Sequence, residues 1–373
     1  MDNKIRVTWQ DLSVGRKLPW NVYTESGKLL LGVGHIIPNK QILNSMQKYV
    51  LYRDKIGSGY ARGDGSRGVV NPFSLVENFV TRLAYIFEDI ETGNKEVSDK
   101  LGRLVNDVIK MVAEEPDASI AMVHLPNNYP YSLFHSIQCA ILCCLIAEHS
   151  ELPKTEIQML CAAALVANIS MRDLQERLFI QGGKASKQQV DQIKQHPHRS
   201  VVLVQAAGIE NKLFTDIIMM HHERVDGSGY PAGLRQEEIE RGALILAVAD
   251  RYGAMVTMRD YREPIPVKDS LKSFLLEDGK EYDQHYSLLL IKVLTVFPPG
   301  SFVRLQNGET AIVIRRGKRN PVEPILKSIA GVDGRRYSNP LLRDCSTDNY
   351  QITGVCGYDK NKPLNLSRMW DYI

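Results

Sequence analysis

From Ser74 to about residue 296 the apolar residues recur at steps of three and four, and that periodicity commits the middle of the chain to a body of packed helices. Leu75, Phe79, Leu83, Ile86 and Ile90 mark one helix, and Leu101, Leu104, Val108 and Met111 the next. After a turn carrying Pro126, Asn127, Asn128 and Pro130, Ser132 stands where it would cap a strongly apolar helix reaching Glu148, and Thr155 where it would cap another running to Leu174. Further helices are expected over 186–207, with His196-Pro197 interrupting that one near its middle, and over 213–220, 237–257, 267–276 and 282–296.

On either side the pattern changes. Residues 5–52 alternate and are broken by turn residues such as Glu25-Ser26-Gly27, which reads as a small β-rich unit ending in a short helix over 41–49. Gly57, Gly59, Gly63, Gly65 and Gly68 then fall among charged residues with little to bury, the composition of a connector. Past Pro298-Pro299-Gly300, two alternating segments flank Asn307-Gly308, the signature of a hairpin. The expected division is a small N-terminal β-rich domain over 1–53, a flexible Gly-rich linker over 54–73, a helical domain over 74–298 and a C-terminal β-rich subdomain over 299–373. The fold class is mainly α with two small β-rich attachments.

A chain of 373 residues has ample surface to bury and suggests two or three domains. Its formal net charge of +3 is too mild to require a nucleic-acid or membrane partner, and none is expected. Arg315, Arg316, Lys318 and Arg319 form a local basic run that either protects a solvated edge strand or touches phosphate. No signal-like or bilayer-length apolar run stands out, so the expected location is the cytoplasm. Cys139, Cys143, Cys144 and Cys161 lie within apolar helical patterns without CxxC spacing and read as reduced core residues.

The most chemically suggestive stretch is His221-His222-Glu223-Arg224-Val225-Asp226-Gly227-Ser228-Gly229-Tyr230-Pro231-Ala232-Gly233-Leu234. Two adjacent imidazoles at a helix end, an acid and a turn of glycines closed by proline point to a metal or phosphate site. The plainer alternative is a helix C-terminus whose histidines face the helix dipole.

This HHExxDGxGYPxGL string closely resembles the HD-GYP family of cyclic di-GMP phosphodiesterases, over about residues 132–314. Gln181-Gly182-Gly183-Lys184, Lys194-Gln195-His196-Pro197 and the helix ending Ala249-Asp250 are similar to flanking segments of that family. The resemblance implies metal ligands at His135, His196, His221, His222 and Asp250, and a phosphate-contacting region containing Arg259 and Arg262. Where the family carries HDxGK, this chain has Ala167-Asn168-Ile169-Ser170-Met171. Gly253 stands where the pattern usually has aspartate, and Asp260 where it has proline.

Those departures govern the expected chemistry. Two-metal hydrolysis needs cations about 3.5–4 Å apart, held against their mutual repulsion by a bridging carboxylate. Asn168 is neutral, Ala167 offers no ligand and Met171 no cation, so hydrolysis is expected to be weak or absent and a dinuclear centre is not expected. His196, His221 and His222 suffice in principle for one Fe, Mn or Zn ion, the alternative being no metal at all. With Gly229, Tyr230 and Pro231 intact, the expected role is a cyclic di-GMP-responsive binding or regulatory module, with a GGDEF diguanylate cyclase as a candidate partner at the GYP loop; a homodimer is compatible with this reading. The competing reading is a residual phosphodiesterase with a mononuclear centre. A third, a PilZ-type grip by Arg315, Arg319, Asp344 and Ser346, lacks the expected closing glycine.

Overall fold

The computed structural model describes the chain apart from residues 1–3, 8–11, 13, 16–17, 19, 47–48, 55–69, 182, 258–271, 273–280, 318–319, 358–363 and 373. The N-terminal strands β1 (Lys4–Arg6), β2 (Val22–Thr24), β3 (Leu29–Leu31) and β4 (Leu51–Asp54) form an antiparallel sheet in the order β1-β4-β2-β3, with helix α1 (Lys40–Met46) beside it. Trp20, Val22, Ile37 and Leu51 make its core. The glycine-rich connector lies mostly outside the described residues.

The helical body follows with α2 (Pro72–Glu91), α3 (Val97–Glu114), α4 (Pro116–His124), α5 (Tyr131–Ala147), α6 (Lys154–Val166), α7 (Arg172–Ile180), α8 (Lys187–Ala206), α9 (Lys212–Met220), α10 (Arg241–Val256) and α11 (Gln284–Leu294). Every residue of α5 is buried, its mostly apolar sequence and the polar Ser132, His135, Ser136 and Gln138 alike, and α6 and α10 pack directly against it. Each fully buried Ile or Leu of α5 contributes roughly 1.5–3 kcal/mol by leaving water, so this helix is the rigid axis on which the body is built.

Several expected boundaries move. Ser132 does not cap α5; Pro130 stands at that end, and the Ser132 backbone N–H and hydroxyl both donate to Glu176 Oε1 of α7, at 2.8 and 2.7 Å. The helix expected over 155–174 begins after Pro153 and is split by a 3-10 turn at Ile169–Met171 into α6 and α7. Lys154–Ile180 has the length and apolarity of a membrane span, yet it is this broken pair and is mostly buried within the body. The helix expected from residue 237 starts at Arg241, after a separate 3-10 turn at Gln236–Glu238. Most of 267–276 lies outside the described residues. Pro197 does not interrupt α8, which runs straight through it behind a capping box made by Ser186 and Gln189.

The C-terminal strands β5 (Phe302–Leu305), β6 (Thr310–Arg315), β7 (Ile325–Ala330), β8 (Arg336–Asp344) and β9 (Ile352–Val355) form an antiparallel sheet in the order β8-β7-β6-β5-β9. The β5–β6 hairpin closes at Asn307-Gly308, where Gly308 takes φ +83°. The sheet docks on α4 through Ala118, Ala121 and Leu125 against Phe302, Ile312, Ile314 and Trp370, with the Trp370 indole donating to Ile314 O at 2.9 Å. Arg316 is not offered to phosphate: it is spent on Asp117 of α4 at 2.5 Å and Val293 O of α11 at 3.0 Å. Lys318 and Arg319 lie outside the described residues.

Candidate metal centre

The straight course of α8 shapes the first ligand. Proline at 197 has no N–H for the carbonyl of Ile193 one turn earlier. His196 supplies the missing donor from its Nδ1, 2.5 Å from Ile193 O. His221, the C-cap of α9, does the same for a carbonyl of the last helical turn, with Nδ1 2.7 Å from Ile218 O. With both Nδ1 atoms donating, each Nε2 is left as a lone-pair acceptor, and the two lie 3.2 Å apart. Two acceptors held that close need a cation or a proton between them.

His222 completes the group. Its Nε2 is shielded from solvent and has no hydrogen-bond partner among the described residues, and its ring centroid lies 4.1 Å from that of His221 and 4.9 Å from that of His196. The three donor atoms fall within 4.8 Å of one another. Metal–nitrogen bonds of about 2.0–2.1 Å imply nitrogen–nitrogen edges of about 2.9–3.4 Å, so the observed His196–His221 separation fits a common cation. Burial is the main reason all three imidazoles titrate low, His196 at about 3 with the His221 ring adding to the effect. They are therefore neutral at neutral pH, the form that binds metal.

The loop after the histidines is held from inside. Glu223 is 2% exposed, and its carboxylate accepts from Ala232 N at 2.7 Å and Leu234 N at 3.0 Å, which ties the far end of the GYP segment back to its start. Gly229 passes so close to this base that a Cβ there would sit 2.4 Å from Arg224 N. Tyr230 is thereby laid on His222, with ring centroids 4.8 Å apart and planes 25° from parallel.

A second group hangs from the body's central helices. His135 of α5 places Nε2 2.9 Å from Asp250 Oδ1 of α10. Cys139, one turn along α5, has its Sγ 3.6 Å from the same Nε2. Asn168, just after α6, donates from Nδ2 to Asp250 Oδ1 at 3.4 Å, and its Oδ1 has no partner among the described residues. Burial acts to raise the Asp250 carboxyl, but the His135 hydrogen bond and the field of the neighbouring imidazoles outweigh it and hold the group well below the usual carboxylate range. Ala167 is buried at the end of α6, and Met171 closes the 3-10 turn. Gly253 lies against the His135 ring, where a Cβ would be 3.4 Å from the unpartnered Nδ1.

The structure thus gathers His196, His221 and His222 into one cluster and His135 and Asp250, with Asn168, into another. Arg259 and Arg262 fall outside the described residues. Sequence reasoning missed Cys139 as a donor, although its place four residues after His135 in a helix puts the two on one face. It also missed Glu223 as the organiser of the loop.

A helical body whose separate helices converge histidines and an aspartate on one interior site defines a metal-dependent class, and the comparisons agree with it. Residues 101–286 match the family model described as HD domain. The chain belongs to the HD domain family, of the HD-GYP kind indicated by its His221–Leu234 string. It is 26% identical over 242 residues to the cyclic di-GMP phosphodiesterase PA4108 of Pseudomonas aeruginosa, an alignment covering 65% of this chain and 58% of that one. It is 35% identical over 134 residues to a cyclic di-GMP phosphodiesterase of Thermotoga maritima, covering 36% of each. The chain thus spans little more than half the length of the first of these relatives and about a third of the second. In fold it is similar to Bd1817, a HDG"Y"P protein from Bdellovibrio bacteriovorus, with a TM-score of 0.52 at 16% identity over 78% of this chain and 99% of that one.

Proposed function

We propose that the chain acts in cyclic di-GMP signalling as a binding or regulatory module that holds a divalent metal on His196, His221 and His222 and hydrolyses the dinucleotide weakly or not at all. The observation that carries this reading is Asn168. It occupies the place beside Asp250 with a neutral amide, and among the described residues the group of His196, His221 and His222 includes no carboxylate, while Asp250 stands with His135 and Cys139. A bound metal would supply Lewis acidity and an ordered water at the triad. Around it the chain's own groups bind and orient: Tyr230 covers His222, and Glu223 fixes the loop that presents Tyr230 and Pro231 to a dinucleotide or to a partner such as a GGDEF diguanylate cyclase. Met171 brings no positive charge to a transition state.

The competing reading, a residual phosphodiesterase with a mononuclear centre, draws its support from the completeness of the same triad. The deciding experiment incubates the purified full chain with cyclic di-GMP and Fe²⁺ or Mn²⁺, measuring dinucleotide binding and both the linear and mononucleotide products. Binding with negligible turnover is expected. Robust turnover overturns the regulatory reading, and absence of both binding and turnover overturns the dinucleotide assignment. Restoring Ala167→His, Asn168→Asp and Met171→Lys together is expected to raise metal content and turnover.

A further inference from the structure

The position beside Asp250 has too few ligands if only the residues implied by resemblance are counted, but the fold adds one. His135 and Cys139 occupy successive turns of the same face of α5, and Asp250 meets them from α10, with all three donor atoms within 4.8 Å of one another. This nitrogen–sulfur–oxygen set is closed in by the body's core: His135 is 2% and Cys139 1% exposed, and Asp250, at 18%, keeps the route to solvent.

We infer that Cys139 joins His135 and Asp250, the ligands implied by the resemblance, to complete a second cation site beside the histidine triad, selective for Zn²⁺ through the Cys139 thiolate. Two distances support it. Zinc bonds of about 2.3 Å to sulfur and about 2.0–2.1 Å to nitrogen, at a tetrahedral angle, put the two ligand atoms about 3.6 Å apart, and Cys139 Sγ and His135 Nε2 are 3.6 Å apart. The second, His135 Nε2 to Asp250 Oδ1 at 2.9 Å, is a hydrogen bond about 0.4 Å short of the roughly 3.3 Å tetrahedral edge, so the two atoms already face one point and need only a small opening for the ion to replace the proton between them. A fourth donor is at hand, because the buried Asn168 amide already reaches Asp250 while its Oδ1 has no partner among the described residues.

Thiolate is a soft ligand, which favours Zn²⁺ over Mn²⁺ or Mg²⁺. On binding, the Cys139 S–H bond breaks, the sulfur lone pair forms the bond to zinc and the proton passes to solvent. This site does not depend on whether the chain turns over cyclic di-GMP. It sets against the expectation that no dinuclear centre forms a three-residue shell of a composition the triad does not share.

The test loads the full, chelator-stripped chain with Co²⁺ or Zn²⁺ alone. Co²⁺ is expected to give a near-ultraviolet sulfur-to-cobalt charge-transfer band, and Zn²⁺ to bind at about two equivalents per chain. Cys139→Ala and the near-isosteric Cys139→Ser should both abolish the band and lower the stoichiometry to about one, while His222→Ala should leave the band in place. A wild-type chain that binds Co²⁺ at the triad without the band overturns the inference with no variant required. So does a band that survives in both Cys139 variants. Far-ultraviolet circular dichroism of the stripped variants verifies that they fold, and if Cys139→Ala does not, the serine variant and the wild-type spectrum still decide.

Discussion

Glu223 offers the sharpest test of how the GYP loop is held. Replacing it by glutamine keeps its shape and one acceptor but sets an amide N–H₂ against a backbone N–H, that of Ala232 or Leu234. A hydrogen bond to a charged acceptor contributes about 1.5–3 kcal/mol, and a buried donor left unsatisfied costs about 1–3 kcal/mol. The two losses overlap, and removing a carboxylate that is only 2% exposed also relieves its burial cost. The net expectation for Glu223→Gln is therefore about 2 kcal/mol, a factor of roughly 30 in the equilibrium it affects. Because the contact closes one loop, much of the loss should appear as local opening. Amide hydrogen exchange at Ala232 and Leu234 should accelerate by about that factor, with a smaller drop in the urea midpoint. If exchange at both amides stays within about twofold of wild type and the midpoint does not move, Glu223 does not organise the loop.

Gly229→Ala should disturb the same loop through backbone collision, since the new Cβ would lie 2.4 Å from Arg224 N and 2.5 Å from Glu223 Cα. It should cost about 1–3 kcal/mol by thermal denaturation and release Tyr230 from His222, visible as a change in tyrosine fluorescence. His124 links α4 to α10 and to the C-terminal sheet, its Nε2 2.7 Å from the Tyr252 hydroxyl and its Nδ1 3.2 Å from Pro299 O. Burial lowers it to about 4, so below about pH 6.5 the unfolded chain binds the extra proton first. Stability present above pH 6.5 should thus fall, by on the order of 3 kcal/mol, as pH drops towards 4, and His124→Gln should flatten that part of the urea-denaturation pH profile.

The helical body was legible because its apolar spacing is imposed by burial on α5 and its neighbours, and the Asn307-Gly308 hairpin because its turn chemistry is local. Helix starts were less so. Ser132 has the chemistry of a cap, yet Glu176, 44 residues away, captures its N–H and hydroxyl, a tertiary contact no local pattern contains. Pro197 looked like a break because a proline leaves a carbonyl without its donor, and the sequence alone does not show that the imidazole of His196 takes that donor's place. Of the candidate site, the triad could be named from motif residues, but the convergence of Cys139 with Asp250 depends on how α5 packs against α10. Arg316 shows the reverse case, a basic residue suited to phosphate that the fold assigns to Asp117.

The charges around Asp250 connect the two donor groups to the weak hydrolysis proposed for the chain. Two divalent cations about 4 Å apart repel by on the order of 16 kcal/mol at an effective dielectric of about 20, which a hydrolytic pair offsets with a shared carboxylate and a bridging hydroxide. The triad is neutral, and Asp250, whose charge acts on it, already faces His135 and Cys139. If Cys139 binds zinc as thiolate, its charge and that of Asp250 together cancel the charge of the ion. A neutral second centre can then sit near an occupied triad without a bridge, because the repulsion that a bridge offsets is gone. The same thiolate donation would weaken the Lewis acidity available to activate a bridging hydroxide. Occupancy of both donor groups is thus compatible with weak hydrolysis, and restoring a carboxylate at Asn168 alone would add negative charge without recreating the cationic pair that hydrolysis requires.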